Sequence, residues 1–303
     1  MIPRPWRTLV DPLSLQAALG DPDVVLLDCR HALTDPEAGP RSYREGHLPG
    51  AFHAHIDHDL SAPATPATGR HPLPDPERLR EFLGRLGIGP GVQVVAYDDR
   101  GGAFAARAWW LLRHYGHRDV AVLDGGLPAW TAAGLPLTRE VPHRAPRTFR
   151  GEPGHMPTVE APNLLEGLRS GKFTVLDVRD GARYRGEQEP IDPVAGHIPG
   201  ARSAPFSEYL TQEGRFHAPL TLRGRFQEHL EGYPPTQIVA YCGSGVTASL
   251  GILAMEVAGL PGVALYPGSW SEWIRDPGYS ATPGRPATSM ARIPREAVTP
   301  EPQ

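Results

Sequence analysis

Four segments from the first half of this chain return, in the same order, in the second half. VVLLDCR (24–30) pairs with TVLDVR (174–179), and GHLPGA (46–51) with GHIPGA (196–201). VQVVAYDD (92–99) then meets TQIVAYCG (236–243), and LDGGLPAW (123–130) meets YPGSWSEW (266–273). The offsets stay between 143 and 150 residues, an ordered agreement that chance does not produce. Such a duplication settles the architecture before any single element does: the chain is two copies of one domain. Its 303 residues give each copy an ordinary domain length. The expected division is a first domain over 1–138, a linker over 139–160 rich in proline and polar residues, a second domain over 161–280, and a disordered tail over 281–303.

Within each copy, short β-branched runs alternate with helical patterns. Asp75-Pro76-Glu77 has the marks of a helix start, an N-cap followed by proline at the first helical position. AFAARAWWLLRHYG (103–116) has helical length and an apolar face, and VAVLD (120–124) returns to strand. The alternation predicts an α/β fold of two tandem domains, each a mostly parallel sheet with helices on both faces. Such sheets bind ligands at the carboxyl ends of their strands.

Cys242 stands at one of those ends, at the head of CGSGVTAS (242–249). The amides of Gly243, Ser244, Gly245, Val246 and Thr247 are expected to curl around its sulfur, and a helix starting near Val246 would add its positive end. The glycines let the backbone approach an anion closely, and this environment favours a thiolate, so Cys242 is a candidate nucleophile. Cys29, the second of two cysteines, aligns with Val178 and has no glycine cradle, which marks it as structural. Asp98 occupies the place of Cys242 in the first copy. A carboxylate there offers no thiolate, so the first domain lacks the candidate nucleophile. His47 and His197, like Trp130 and Trp273, recur in both copies and are read as turn and core residues.

Composition narrows the remaining classes. A net charge of −4 with no basic stripe argues against nucleic acid as a partner. No apolar run of membrane-spanning length and no signal core is visible, which predicts a soluble, cytoplasmic protein with no membrane partner. Lys172 is the sole lysine, so any anion must be bound by arginine. No cysteine-histidine ligand cluster is visible, and a metal site is not expected. A loop-type cysteine phosphatase needs an arginine six residues after its nucleophile, where this chain has Ala248.

CGSGVTA, the twin GHLPGA and GHIPGA segments, RYRGE (183–187) and GGLPAW together resemble the two-domain rhodanese family of sulfurtransferases, over roughly residues 5–280. The resemblance implies that Cys242 takes a sulfane sulfur from a small-molecule donor, holds it as a persulfide, and passes it to a thiophilic acceptor such as cyanide, a small thiol or thioredoxin. It implies no cofactor. Gly243 and Ser244 after the cysteine are similar to the 3-mercaptopyruvate type, whereas the thiosulfate type carries basic residues there. That likeness implies that Ser244 works with Asp57 and His71 of the first domain, and that Arg183 holds the substrate carboxylate. The subfamily's second arginine is missing, since Ile191 and Asp192 stand where a cation is expected, and Arg185 is the compensating candidate. Thiosulfate as donor, and a non-catalytic binding role, are the alternative expectations.

Overall fold

The computed structural model describes residues 4–276 and 278–279, so the predicted tail over 281–303 lies outside the described residues. The first copy runs β1 (Leu9–Val10), α1 (Pro12–Gln16), β2 (Val24–Asp28), α2 (Ala38–Glu45), β3 (Ala51–His53), α3 (Pro76–Arg85), β4 (Gln93–Tyr97), α4 (Ala105–His114), β5 (Val120–Leu123) and α5 (Gly126–Ala132). The second runs α6 (Ala161–Ser170), β6 (Thr174–Asp177), α7 (Gly181–Tyr184), β7 (Arg202–Ser203), α8 (Pro219–Leu230), β8 (Ile238–Tyr241), α9 (Ala248–Val257), β9 (Ala264–Leu265) and α10 (Ser269–Trp273).

Each copy forms its own sheet, ordered β1-β5-β4-β2-β3 in the first and β7-β6-β8-β9 in the second, with every strand pair parallel. The duplicated segments therefore fall on equivalent strands. VVLLD of β2 and QVVAY of β4 are buried throughout, as strands covered on both faces must be. Asp75 accepts the Arg78 amide at 3.0 Å and caps α3 as its sequence predicts. α4 is shorter than the predicted 103–116, because Gly102 at φ 92° and Gly116 at φ 80° turn the chain out of the helix just beyond its two ends.

The inner faces of the two sheets share one apolar core, in which Trp109 and Trp110 of α4 belong with Leu250 and Leu253 of α9. The outer faces keep separate cores, holding Trp130 in the first domain and Trp273 in the second. Residues 139–160 run as a hydrogen-bonded strap along the first domain. Arg147 N donates to Gly84 O at 2.9 Å and His155 N to His114 O at 3.0 Å. Thr158 then bridges Leu265 in parallel. Among the described residues, no helix is long and apolar enough to cross a membrane.

Candidate active site

Each domain contains the same buried polar knot beneath its loop-bearing edge. In the first, Asp28 Oδ2 accepts from Arg30 Nη2 at 2.6 Å and from Tyr97 Oη at 2.7 Å, while the same Nη2 donates to Gly46 O. In the second, Asp177 Oδ2 accepts from Arg179 Nη2 and Tyr241 Oη, both at 2.6 Å, and Nη2 donates to Gly196 O. The GHxPGA histidines belong to this scaffold. His47 and His197 bond the carbonyls of Tyr43 and Tyr184 through Nδ1 and stack on those rings at 3.9 Å.

β8 ends at Tyr241 and delivers Cys242, which is 3% exposed, into a tight loop before α9. Ser244 N lies 3.5 Å and Gly245 N 3.2 Å from Sγ. The expected five-amide ring is thus narrower: among the described residues Gly243, Val246 and Thr247 make no hydrogen bond to the sulfur, and α9 begins at Ala248 rather than Val246. The reason is the turn at Gly245, whose φ of +79° redirects the chain before the helix is established. A Cβ on Gly245 would stand 2.4 Å from Pro267 O, so only glycine fits. In the first domain the equivalent cradle is fully used, with Asp98 accepting the amides of Arg100, Gly102, Phe104 and Ala105. Cys29 is fully buried and burial pushes its thiol well up, while both cysteines remain unpaired.

Residues distant in sequence converge on this loop. Ser244 Oγ is 2.6 Å from His71 Nδ1, and His71 Nε2 is 2.9 Å from Asp57 Oδ1. The His71 hydrogen bond holds Asp57 below the usual carboxylate range against its desolvation, so it is ionised and accepts only. Nε2 therefore carries the ring proton, and Nδ1 accepts from the Ser244 hydroxyl. Burial lowers His71 from its ordinary value, opposed by the Asp57 carboxylate, and leaves a neutral imidazole able to take a proton.

Above the sulfur opens a cavity of about 480 Å³ whose wall includes Cys242, Gly243, Ser244, Val246, Thr247, Arg70 and Arg183. Arg183 donates to Glu189 Oε1 at 2.6 Å and to Asp192 Oδ2 at 3.2 Å. Arg185 does not contribute: it points outward, half exposed, and pairs with Glu187 at 2.7 Å. The structure thus departs from the expectation that Arg185 binds substrate, since it is not among the residues lining the cavity. The missed residue is Arg70. It reaches across from the first domain and pairs with Asp192, the residue standing where a cation was expected. A Cβ on Gly243 would meet Arg70 Nη2 at 2.7 Å and both Arg183 Nη atoms at 3.5 Å, so two guanidinium groups flank the residue next to Cys242. The sequence signal was the basic residue directly before His71.

His31, His55 and Asp57 bring possible metal-ligating atoms within 4.8 Å of one another. Two of the three already hold partners in the fold. His55 Nδ1 accepts the Asp57 amide at 3.1 Å, His55 Nε2 faces Pro36 O, and Asp57 holds His71.

Comparison with known proteins identifies the family. The model of the rhodanese-like domain matches twice, at residues 11–133 and 160–276. The "Probable 3-mercaptopyruvate sulfurtransferase" of Pseudomonas aeruginosa is 51% identical over 89% of this chain and 95% of its own. A thiosulfate sulfurtransferase of Rattus norvegicus is 34% identical over 86% of this chain and 89% of its own. The solved structure of SseA from Escherichia coli, described among 3-mercaptopyruvate sulfotransferases, superposes with a TM-score of 0.76 at 30% identity, covering 88% of this chain and all of that one. Two family-model matches spanning most of the chain, on two sheets of one topology, place this protein in the rhodanese family.

Proposed function

We propose that this sulfurtransferase takes its sulfur from 3-mercaptopyruvate and carries it on Cys242. The observation that carries the reading is the Asp57–His71–Ser244 chain, whose hydroxyl end stands two residues from the nucleophile and at the cavity wall. Arg70 and Arg183 hold the donor carboxylate, orienting its thiol toward Cys242. The Cys242 thiolate attacks the donor sulfur and forms the S–S bond. The C–S bond breaks, and its electron pair moves toward the carbonyl oxygen as an enolate. Ser244 donates to that developing charge, and the proton that left the Cys242 thiol for His71 Nδ1 through Ser244 returns by the same path to complete pyruvate. The enzyme thiol and mercaptopyruvate thus become the enzyme persulfide and pyruvate, with no outside oxidant. The outer sulfur then passes to a thiophilic acceptor, such as cyanide, a small thiol or a thioredoxin-type dithiol.

Glu189 and Asp192 already occupy the two arginines, so an incoming carboxylate must compete for them and KM is high. Thiosulfate is the second reading, favoured by the pair of guanidinium groups flanking Gly243, which also suit an inorganic dianion. Steady-state kinetics with each donor and cyanide as common acceptor separate the two. Mercaptopyruvate is expected to have the higher kcat, and Arg70→Ala or Arg183→Ala is expected to raise its KM roughly tenfold or more, as loss of a charged hydrogen bond does. If thiosulfate is the better donor by kcat/KM and Ser244→Ala leaves it untouched, the donor assignment is wrong.

A further inference from the structure

Arg107 lies within α4 with none of its surface exposed. Its guanidinium donates to four backbone carbonyls: Nε to Leu60 at 3.3 Å, Nη1 to Gly245 at 3.4 Å, and Nη2 to His71 and Pro72 at 3.2 and 3.3 Å. All are long for bonds whose usual length is about 2.9 Å. Among the described residues Arg107 forms no ion pair with a carboxylate, although a buried charge ordinarily needs one. Burial pulls the Arg107 guanidinium down to about 10, and Cys242 as a thiolate opposes that by favouring the cation. Arg70 lines the cavity, whereas Arg107 is fully buried and does not.

The carbonyls it holds are those around which the chemistry is arranged. His71 carries the imidazole of the relay, and the Gly245 amide donates to Cys242 Sγ at 3.2 Å. They belong to different domains, and one guanidinium spans both. The fold itself makes no demand for this arginine. Its twin in α9, 144 residues later like Cys242 after Asp98, is Gly251, where even a Cβ would press within 2.9 Å of Val178.

We propose that Arg107 is a positioning residue for sulfur transfer: its fork locks the His71 segment of the first domain to the Cys242 loop of the second, and its charge faces the sulfur anion, first as thiolate and then as persulfide. This rests on Cys242 being the nucleophile. Arg107→Met removes charge and fork together, and Arg107→Lys keeps the charge alone. Alkylation of Cys242 by iodoacetamide at neutral pH, followed by intact mass without any donor, reads the charge separately from the donor assignment. The Met variant is expected to alkylate about tenfold more slowly, the lower end of what one nearby charge contributes. The Lys variant is expected to alkylate at close to the wild-type rate, yet with kcat reduced about tenfold and KM little changed, because the relay is no longer held in register. A folded Met variant with wild-type alkylation and turnover overturns the proposal. Should the Met variant not fold, wild-type kcat in the Lys variant overturns it alone, since lysine cannot hold both segments.

Discussion

Ser244 and His71 show how far a single residue could be read from the chain. Ser244 was legible because it is two positions from Cys242 in a loop whose glycines mark an anion site. His71 and Asp57 were reached through family likeness, since 173 residues separate His71 from the serine it bonds and no local pattern spans that gap. Arg70 escaped altogether because its partner Asp192 is 122 residues away and acidic residues do not advertise the arginines they hold. Arg185 is two residues from Arg183 in sequence, yet it pairs with Glu187 in solvent while Arg183 lines the cavity. Ser244→Ala is expected to lower kcat for mercaptopyruvate by about 10²-fold or less with KM nearly unchanged, as removal of a donor to developing charge does. His71 must be neutral to accept the Cys242 proton through Ser244, and burial holds it below its ordinary value of 6.5. Activity should therefore persist through pH 6.5 and fall only as more acid solution charges the ring. A pH–rate profile measures this, and an acid limb above 6.5 that vanishes in His71→Gln would show that the histidine is not depressed.

The elements were legible where burial dictates them. Strands such as VVLLD and QVVAY, and a helix opened by Asp75-Pro76, need no tertiary information. Helix ends were less so, because Gly102, Gly116 and Gly245 terminate or delay helices through positive φ, and nothing local says which glycines will do this. The recurrence of Asp-x-Arg after β2 and β6 was visible as repetition, but its role as a buried knot tying strand ends to the GHxPGA turn was not. That knot supports the cysteine loop directly, since Tyr241 precedes Cys242 and also accepts the Ile198 amide at 3.1 Å. Tyr241→Phe leaves that amide and one Asp177 bond unmet, and is expected to destabilise the protein by about 1–3 kcal/mol in denaturant unfolding. Tyr97→Phe, at the twin position, should cost a similar amount. A Tyr241→Phe protein as stable as the wild type would show that the knot is not a support.

At the scale of the whole molecule, the duplication predicted two copies of one fold, and the strand orders of the two sheets agree with it. How the copies meet was not written in either, because the junction is made by faces of α4 and α9 whose apolar residues read as ordinary core. The first domain lacks an equivalent cysteine, yet its His71 and Arg107 hydrogen-bond Ser244 and Gly245 in the Cys242 loop of the second. The proposed function accordingly draws on both domains, and its reacting centre is one sulfur atom on Cys242. Intact mass after treatment with mercaptopyruvate tests that most directly. One added sulfur is predicted, removed by cyanide, retained in Cys29→Ser and absent from Cys242→Ser, whereas sulfur carried on Cys29, or persisting in Cys242→Ser, would contradict the account.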